Sequence, residues 1–199
     1  MPIKIKHLPI NDFYRRADQC TLFLFTSNLI NDDDMELIII RKYLLNCFML
    51  LIPIFIWNII FAKSLPKGYT MDFFWKDIPA IIGNTENILR IMVFILPIFM
   101  KFSLETKLQK VGISIYVLGI IIYFLSWIVQ IYFPECYWSK SIFGFMAPAY
   151  TSIIWFVGIG LIGKTTFIKI PYLSVIYIFI SVCFVVIHSI HTYVVFQRL

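Results

Sequence analysis

Two short-range pairs of side chains in this sequence could do acid–base chemistry. His188 and His191 are three positions apart, and Glu86 and Arg90 are four positions apart with the acid first. On a helix, both spacings place the pair on one face, and the order of Glu before Arg favours an ion pair. A histidine close to Glu86 could carry a proton or act as a general base. The plainer interpretation is an interfacial ion pair beside histidines that reach toward water.

A third stretch imitates a phosphate-binding loop. Residues 158–165 read GIGLIGKT and fit the pattern G-x-x-x-x-G-K-[ST] at every fixed position. Such a loop joins a buried strand to a helix, and its lysine needs access to water. Here the glycines end an uncharged run, and the sequence has no alternating strands and helices from which to build the sheet. We therefore expect no nucleotide binding. Gly158 instead allows a neighbouring helix to approach closely, and Lys164 anchors the helix end at the interface.

Metal and cofactor chemistry find little support in the sequence. Residues 32–36, DDDME, fit an aspartate-rich metal pattern of prenyl-diphosphate enzymes, but the second acidic cluster that such sites need is missing. Helix capping explains the stretch better, and it predicts a first helix from about Asp33 to Ala62. The four cysteines form no C-x-x-C pair, and the three histidines are too few for di-iron or paired haem sites. We expect no metal ion and no cofactor, and no spacing identifies a catalytic residue.

The helices that must position these side chains follow from the apolar character of the chain. Apolar residues make up 60% of the sequence and charged residues 14%, whereas soluble domains carry about 25% charged residues. About 20 residues span the ~30 Å hydrocarbon core of a bilayer. Four runs without Asp, Glu, Lys or Arg reach this length: 43–62, 111–133, 141–163 and 170–197. These runs predict membrane-spanning helices.

A fifth helix is needed between Lys63 and Lys110, because a long connection without regular structure is rare. Its charge-free part, 91–100, is too short to cross, so the helix must start earlier and contain Glu86 and Arg90. We therefore predict an all-α integral membrane protein, a bundle of five transmembrane helices with a short N-terminal extramembrane or interfacial segment. The predicted segment is 1–42 and the predicted transmembrane domain 43–199, with spans at 43–62, 80–102, 111–133, 142–163 and 170–196.

The basic residues predict how the bundle is oriented. With the amino terminus inside, successive connections place 11 of the 17 Lys and Arg residues on the inner side and the other 6 on the outer side. This bias agrees with the positive-inside rule, so we expect a cytoplasmic amino terminus and an external carboxyl terminus. The net charge of +6 then reflects orientation and contact with anionic lipid, and it does not indicate nucleic-acid binding.

Polar residues within the spans gather toward the outer side once helix directions alternate. An unpaired polar group in hydrocarbon is costly, so these residues need partners or water. We predict a polar pocket in the outer half, lined by Asn58, Glu86, Arg90, Gln130, His188 and His191. On the fifth helix, polar side chains from Ser174 to Thr192 share one arc, which should face protein or water.

Small residues recur at helical spacing on the third and fourth helices. Gly112 and Gly119 align on the third, and Gly144, Ala147 and Gly158 align on the fourth. Such faces permit close contact between helices, either within the bundle or with other membrane-protein subunits.

Three functions are compatible with these features. The first is a small polytopic, non-catalytic binding or assembly subunit whose partners are membrane lipids and other membrane-protein subunits. The second is a membrane-embedded enzyme that acts on a lipid or isoprenoid substrate. The third is a small oligomeric transporter. All three would use the same polar cluster, and none involves nucleic acid or a nucleotide.

Overall fold

The computed structural model describes residues 45–167 and 170–199. Within these ranges, five helices are long and apolar enough to cross a membrane, as the sequence predicts. In chain order the elements are α1 (Cys47–Ser64), α2 (Met71–Phe74), α3 (Ala80–Phe99), β1 (Met100–Lys101), α4 (Lys107–Tyr132), α5 (Tyr137–Lys140), α6 (Ile142–Ile162), β2 (Thr165–Thr166) and α7 (Leu173–Phe196). The predicted N-terminal segment, 1–42, lies outside the described residues.

Helix α1 begins later than the sequence predicts. A continuous helix from Asp33 to Ala62 is wrong, because Asn46 has an extended backbone with φ −107° and ψ 164°. The Asn46 side chain accepts a hydrogen bond from the Phe48 amide at 3.1 Å, and its backbone forms an isolated bridge with Lys101. An asparagine in this conformation is a typical helix N-cap. The N-cap at Asn46 therefore sets the start of the first span.

The other span boundaries differ from the charge-free runs by a few residues, and each shift has a local cause. Helix α4 starts at Lys107 because Thr106 and Gln109 form a capping box. The first turns of the helix therefore contain two lysines that lie outside the charge-free run. Helix α3 ends at Phe99, after Pro97, where Met100 turns extended and pairs with Thr166 in a two-residue antiparallel sheet. Helix α7 starts at Leu173, after Pro171.

A proline breaks the regular hydrogen bonding of α6. Pro148 has no amide hydrogen, so the carbonyl of Gly144, four residues earlier, loses its helical partner. The Gln130 side chain of α4 donates to that carbonyl at 2.7 Å. Gln130 is only 2% exposed, so its amide would itself be costly without this bond. One buried side chain thus satisfies the backbone acceptor that the proline frees.

Helices α4 and α6 pack with their backbones in close contact, and the glycines are the reason. A Cβ atom at Gly119 would lie 2.5 Å from the backbone nitrogen of Trp155, and one at Gly158 would lie 2.6 Å from the backbone of Tyr116. At Gly112, a Cβ would lie 2.9 Å from the Leu161 side chain. The small-residue faces of these two helices therefore meet each other.

The two ends of the bundle are tied by different contacts. At one end, β1 and β2 pair and the Gln109 side chain donates to the Ile162 carbonyl at 3.2 Å. At the other end, the Tyr69 hydroxyl donates to the Phe145 carbonyl at 2.6 Å, and burial raises the pKa of Tyr69. We call these the strand end and the cluster end, because the second also holds Glu86 and its partners.

Candidate functional site

Glu86 lies at the centre of the polar cluster, in the second turn of α3. Its side chain is 0% exposed, and both carboxylate oxygens are engaged. Arg90, one turn later, and Nδ1 of His188, at 3.0 Å, contact Oε1, while Nδ1 of His191 contacts Oε2. The two histidines come from α7, so one buried carboxylate connects two helices, and Glu86 and His188 are 102 positions apart in the sequence. A carboxylate can be buried at this depth because charged and polar donors surround it.

His191 places two oxygen atoms opposite its two ring nitrogens. Nδ1 faces Glu86, and Nε2 lies 2.9 Å from the carbonyl oxygen of Phe74 in α2. A carbonyl oxygen can only accept a hydrogen bond, so Nε2 must carry a proton and act as the donor. A second proton must lie between Nδ1 and Glu86, on one atom or the other. Glu86 and His191 together are therefore neutral in either arrangement, and they join α2, α3 and α7.

His188 uses only one ring nitrogen within the cluster. Its side chain is 25% exposed, and Nδ1 bonds Glu86. No described residue forms a hydrogen bond with Nε2. The ring stacks on Phe184 with a centroid distance of 5.5 Å and an interplanar angle of 5°. Glu86 and Phe184 therefore fix the orientation of this imidazole.

Arg90 connects the cluster to a cavity. Its guanidinium lies over the Trp75 ring, 5.5 Å from the centroid, and its side chain is 33% exposed. The only hydrogen bond that Arg90 makes to the described residues is the one to Glu86. Since a guanidinium has five N–H donors, most of them remain available.

The cavity beside Arg90 and His188 has a volume of about 390 Å³. It opens between α1, α2, α3, α4, α6 and α7, and most of its wall is aromatic. The lining residues are Ile54, Phe55, Asn58, Met71, Phe74, Trp75, Arg90, Phe94, Tyr123, Trp127, Pro148, Ser152, Trp155, Phe156, Phe184 and His188. No Asp or Glu is among these residues, and Glu86 lies behind the wall, in contact with Arg90 and His188.

The structure brings together five of the six residues of the predicted pocket, in two layers. Asn58, Arg90 and His188 line the cavity, and Glu86 and His191 lie behind them. The Asn58 side-chain oxygen accepts from the Tyr123 hydroxyl at 2.8 Å, which fixes the amide on the wall. Gln130 is the exception. It bonds the Gly144 carbonyl instead and lines a separate groove, so the structure does not bring it together with the other five.

The sequence interpretation missed the contribution of the connection between α1 and α3. Phe74 and Trp75 enclose His191, with ring-centroid distances of 4.3 and 4.8 Å, and the Phe74 carbonyl accepts a hydrogen bond from its Nε2. The run Phe73-Phe74-Trp75 was a usable signal, because three consecutive aromatic residues in a connection between two spans suggest a segment that packs back onto the bundle.

Neither the phosphate-loop pattern nor a metal cluster forms a site in the described part of the chain. Gly158 lies in the packed interface with Tyr116, and Gly163 ends α6 before β2. Among the described residues, no three His, Cys, Asp or Glu side chains are arranged to hold a metal ion.

Comparison of the chain with protein-family models, with curated proteins and with solved structures gave no match. The interpretation of the site therefore depends on its own geometry.

Proposed function

We propose that this chain is a multi-pass membrane protein that binds a small, largely apolar ligand in the cavity beside His188, and that it acts as a binding protein. The cavity carries this proposal. Ligand sites are concave, measure roughly 300–1,000 Å³ and combine apolar walls with a few placed polar groups. Here the volume is about 390 Å³, and Asn58, Arg90 and His188 are set in an aromatic wall.

The polar groups of the wall support binding because they are held in place before any ligand arrives. Glu86 fixes Arg90 and His188, and Tyr123 fixes Asn58. Groups that are already ordered lose less conformational entropy on binding.

Native mass spectrometry of the protein purified in a mild detergent tests this proposal. We expect the wild type to carry a small-molecule adduct after incubation with total membrane lipid. Ile54→Phe and Ser152→Leu add volume to the cavity wall, where both residues are at most 5% exposed, and should abolish the adduct. Ile121→Phe is the matched control, because Ile121 is 50% exposed on the outside of α4. An adduct that survives in both wall variants would contradict binding in this cavity.

A membrane-embedded enzyme is the second candidate, and one observation favours it. His188 lines the cavity, and no described residue forms a hydrogen bond with its Nε2, while a buried carboxylate holds Nδ1. A general base needs this arrangement, in which a third group orients the imidazole and keeps its tautomer. The ligand would then be a substrate that gives a proton to Nε2 of His188 or takes one from it.

Conversion of the bound molecule separates the enzyme from the binding protein. We would incubate membrane lipid extract with the wild type or with His188→Gln and compare the extracts by liquid chromatography and mass spectrometry. A new species that forms only with the wild type, in excess of the protein, supports catalysis. Binding without any such species supports the binding protein.

A further inference from the structure

We infer that the cavity ligand is an amphiphile with a compact anionic head group, a carboxylate or a phosphate monoester, which lies between Arg90 and His188. This inference rests on the proposed ligand-binding function and names its ligand class. The tail of the amphiphile would lie along the aromatic part of the wall.

The charge of the cluster is the first step of the argument. The hydrogen bonds of His191 require that Glu86 and His191 share one proton and form a neutral pair. His188 donates from Nδ1 and is neutral when Nε2 is unprotonated. The charge of Arg90 is then the one that nothing in the cluster cancels. The cluster carries a net charge of +1, or +2 when His188 is protonated.

The placement of these charges is the second step. Glu86 is 0% exposed and does not reach the cavity, whereas Arg90 and His188 line it. No acidic residue lines the cavity within the described ranges. A molecule in the cavity therefore meets the positive groups directly and the negative group only through them.

The hydrogen-bonding capacity of Arg90 is the third step. Arg90 lines the cavity and is 33% exposed, and Glu86 uses only part of its N–H groups. A ligand that covers the remaining N–H groups without supplying acceptors leaves buried donors of a charged group unsatisfied, which is strongly unfavourable. A carboxylate or phosphate supplies charge-assisted hydrogen bonds to the guanidinium. A neutral head group compensates less, and a cationic head group would be repelled.

The shape of the wall is the fourth step. Beyond the two positive groups, the cavity is lined by rings such as Phe55, Phe94, Trp127 and Trp155. Its volume of about 390 Å³ exceeds the ~150 Å³ of a dry apolar cavity that takes up benzene. The space suits a short hydrocarbon tail, with the head group at the Arg90 side.

Quenching of tryptophan fluorescence by brominated ligands tests the inference, because Trp75, Trp127 and Trp155 line the cavity. The probes share one chain and differ in the head group: ω-bromoundecanoate, ω-bromoundecyl phosphate and ω-bromoundecanol. We expect saturable quenching of the wild type by at least one anion, at a concentration about tenfold or more below that of the alcohol, since hydrogen bonds to charged groups contribute roughly 1.5–3 kcal/mol. The two anions show which head group fits.

Variants assign the preference to Arg90. In Arg90→Gln, the anion and the alcohol should bind within about threefold of each other, and Arg90→Lys, which keeps the charge, should retain part of the preference. Lys140→Gln is the control, because Lys140 pairs with Glu135 away from this cavity. Equal saturable quenching of the wild type by anion and alcohol would overturn the inference and leave the binding function standing. The absence of saturable quenching by every probe would overturn both.

Discussion

At the scale of single residues, the cluster depends on how one carboxylate is shared. Glu86 forms hydrogen bonds with Arg90, His188 and His191 and has no contact with solvent. Removing one partner of a buried charged group leaves the others unsatisfied, which costs about 3–5 kcal/mol. The contributions of hydrogen-bond geometry and of negative charge to stability can be measured separately, because a glutamine has the shape of the glutamate without its charge.

We predict that Glu86→Leu lowers the free energy of unfolding by about 3–5 kcal/mol, whereas Glu86→Gln costs clearly less. The glutamine carbonyl can accept from His188 and Arg90, and its NH₂ group can donate to Nδ1 of a neutral His191. The measurement is thermal or denaturant unfolding in detergent, followed by tryptophan fluorescence.

Asn87→Leu on the same helix is the control, because Asn87 is exposed and should change stability by less than about 0.5 kcal/mol. If Glu86→Gln is as damaging as Glu86→Leu, the negative charge itself holds the cluster together, and the exchange of hydrogen bonds described for glutamine does not occur.

At the scale of helices, Pro148 and Gln130 act as one unit. The proline frees the Gly144 carbonyl, and Gln130 reaches across from α4 to bond it. We predict that Gln130→Leu costs about 1–3 kcal/mol, the penalty of leaving a buried acceptor unsatisfied. In a Pro148→Ala background, the alanine amide can donate to Gly144 and the cost should fall.

A double-mutant cycle of unfolding free energies measures this coupling. A cost of Gln130→Leu that is smaller by about 1 kcal/mol or more in the Pro148→Ala background supports the account. Additive effects would show that Gln130 stabilises the bundle in a way unrelated to the proline.

The glycine contacts between α4 and α6 give a second prediction at this scale. Gly119→Ala places a methyl group 2.5 Å from the Trp155 backbone, so the helices must separate, and we expect a loss of about 1–3 kcal/mol. Gly83→Ala is the matched control in α3, since its methyl group would meet only Trp75 at 3.5 Å and Ile78 at 4.0 Å. There the better helix propensity of alanine should raise stability by about 0.5–1 kcal/mol. The same unfolding assay compares the two, and equal effects would contradict the packing described for α4 and α6.

Helix number was predictable from the sequence, and helix ends were only partly so. Hydrophobic length sets the number of spans, and this length follows from the order of apolar and charged residues in the sequence. The ends depend on caps and prolines. The Thr106–Gln109 box was readable at the start of α4, while the break at Asn46 involves a backbone bridge to Lys101 that no local pattern contains.

At the scale of the whole molecule, alternating helix directions were enough to bring the cluster residues to one end of the bundle. Depth along the membrane normal follows from position within a span, so Glu86, His188 and His191 were predictable as neighbours. Rotation about each helix axis is set by tertiary packing. Gln130 has the right depth and faces α6 instead. The cavity and the Phe74 carbonyl likewise depend on how the connection after α1 folds back, which the sequence pattern did not reveal.

The positive-inside bias makes a prediction for the whole molecule, that the cluster end faces the outside of the cell. Cys136 reports on this end, because it lies between α4 and α6 as the N-cap of α5. The Ser139 hydroxyl at 3.2 Å and the Ser139 amide at 3.4 Å hydrogen-bond its Sγ atom and lower the pKa of the thiol. A lowered pKa gives more thiolate at a given pH, so more of Cys136 is in the reactive form than for an unperturbed thiol.

We predict that a membrane-impermeant maleimide labels Cys136 in intact cells when Cys20 is replaced by serine. Cys47 is 0% exposed and should remain unlabelled. The reaction rate should rise with pH, and in Ser139→Ala its midpoint should move to higher pH, because a hydrogen bond to the thiolate is lost. A Lys101→Cys reporter at the strand end, in a chain with Cys136→Ser, should react only after the cells are permeabilised. The reverse pattern would place the cluster end, its cavity and any ligand on the cytoplasmic side. Labelling of both reporters in intact cells would contradict a bundle that separates its two ends across a membrane.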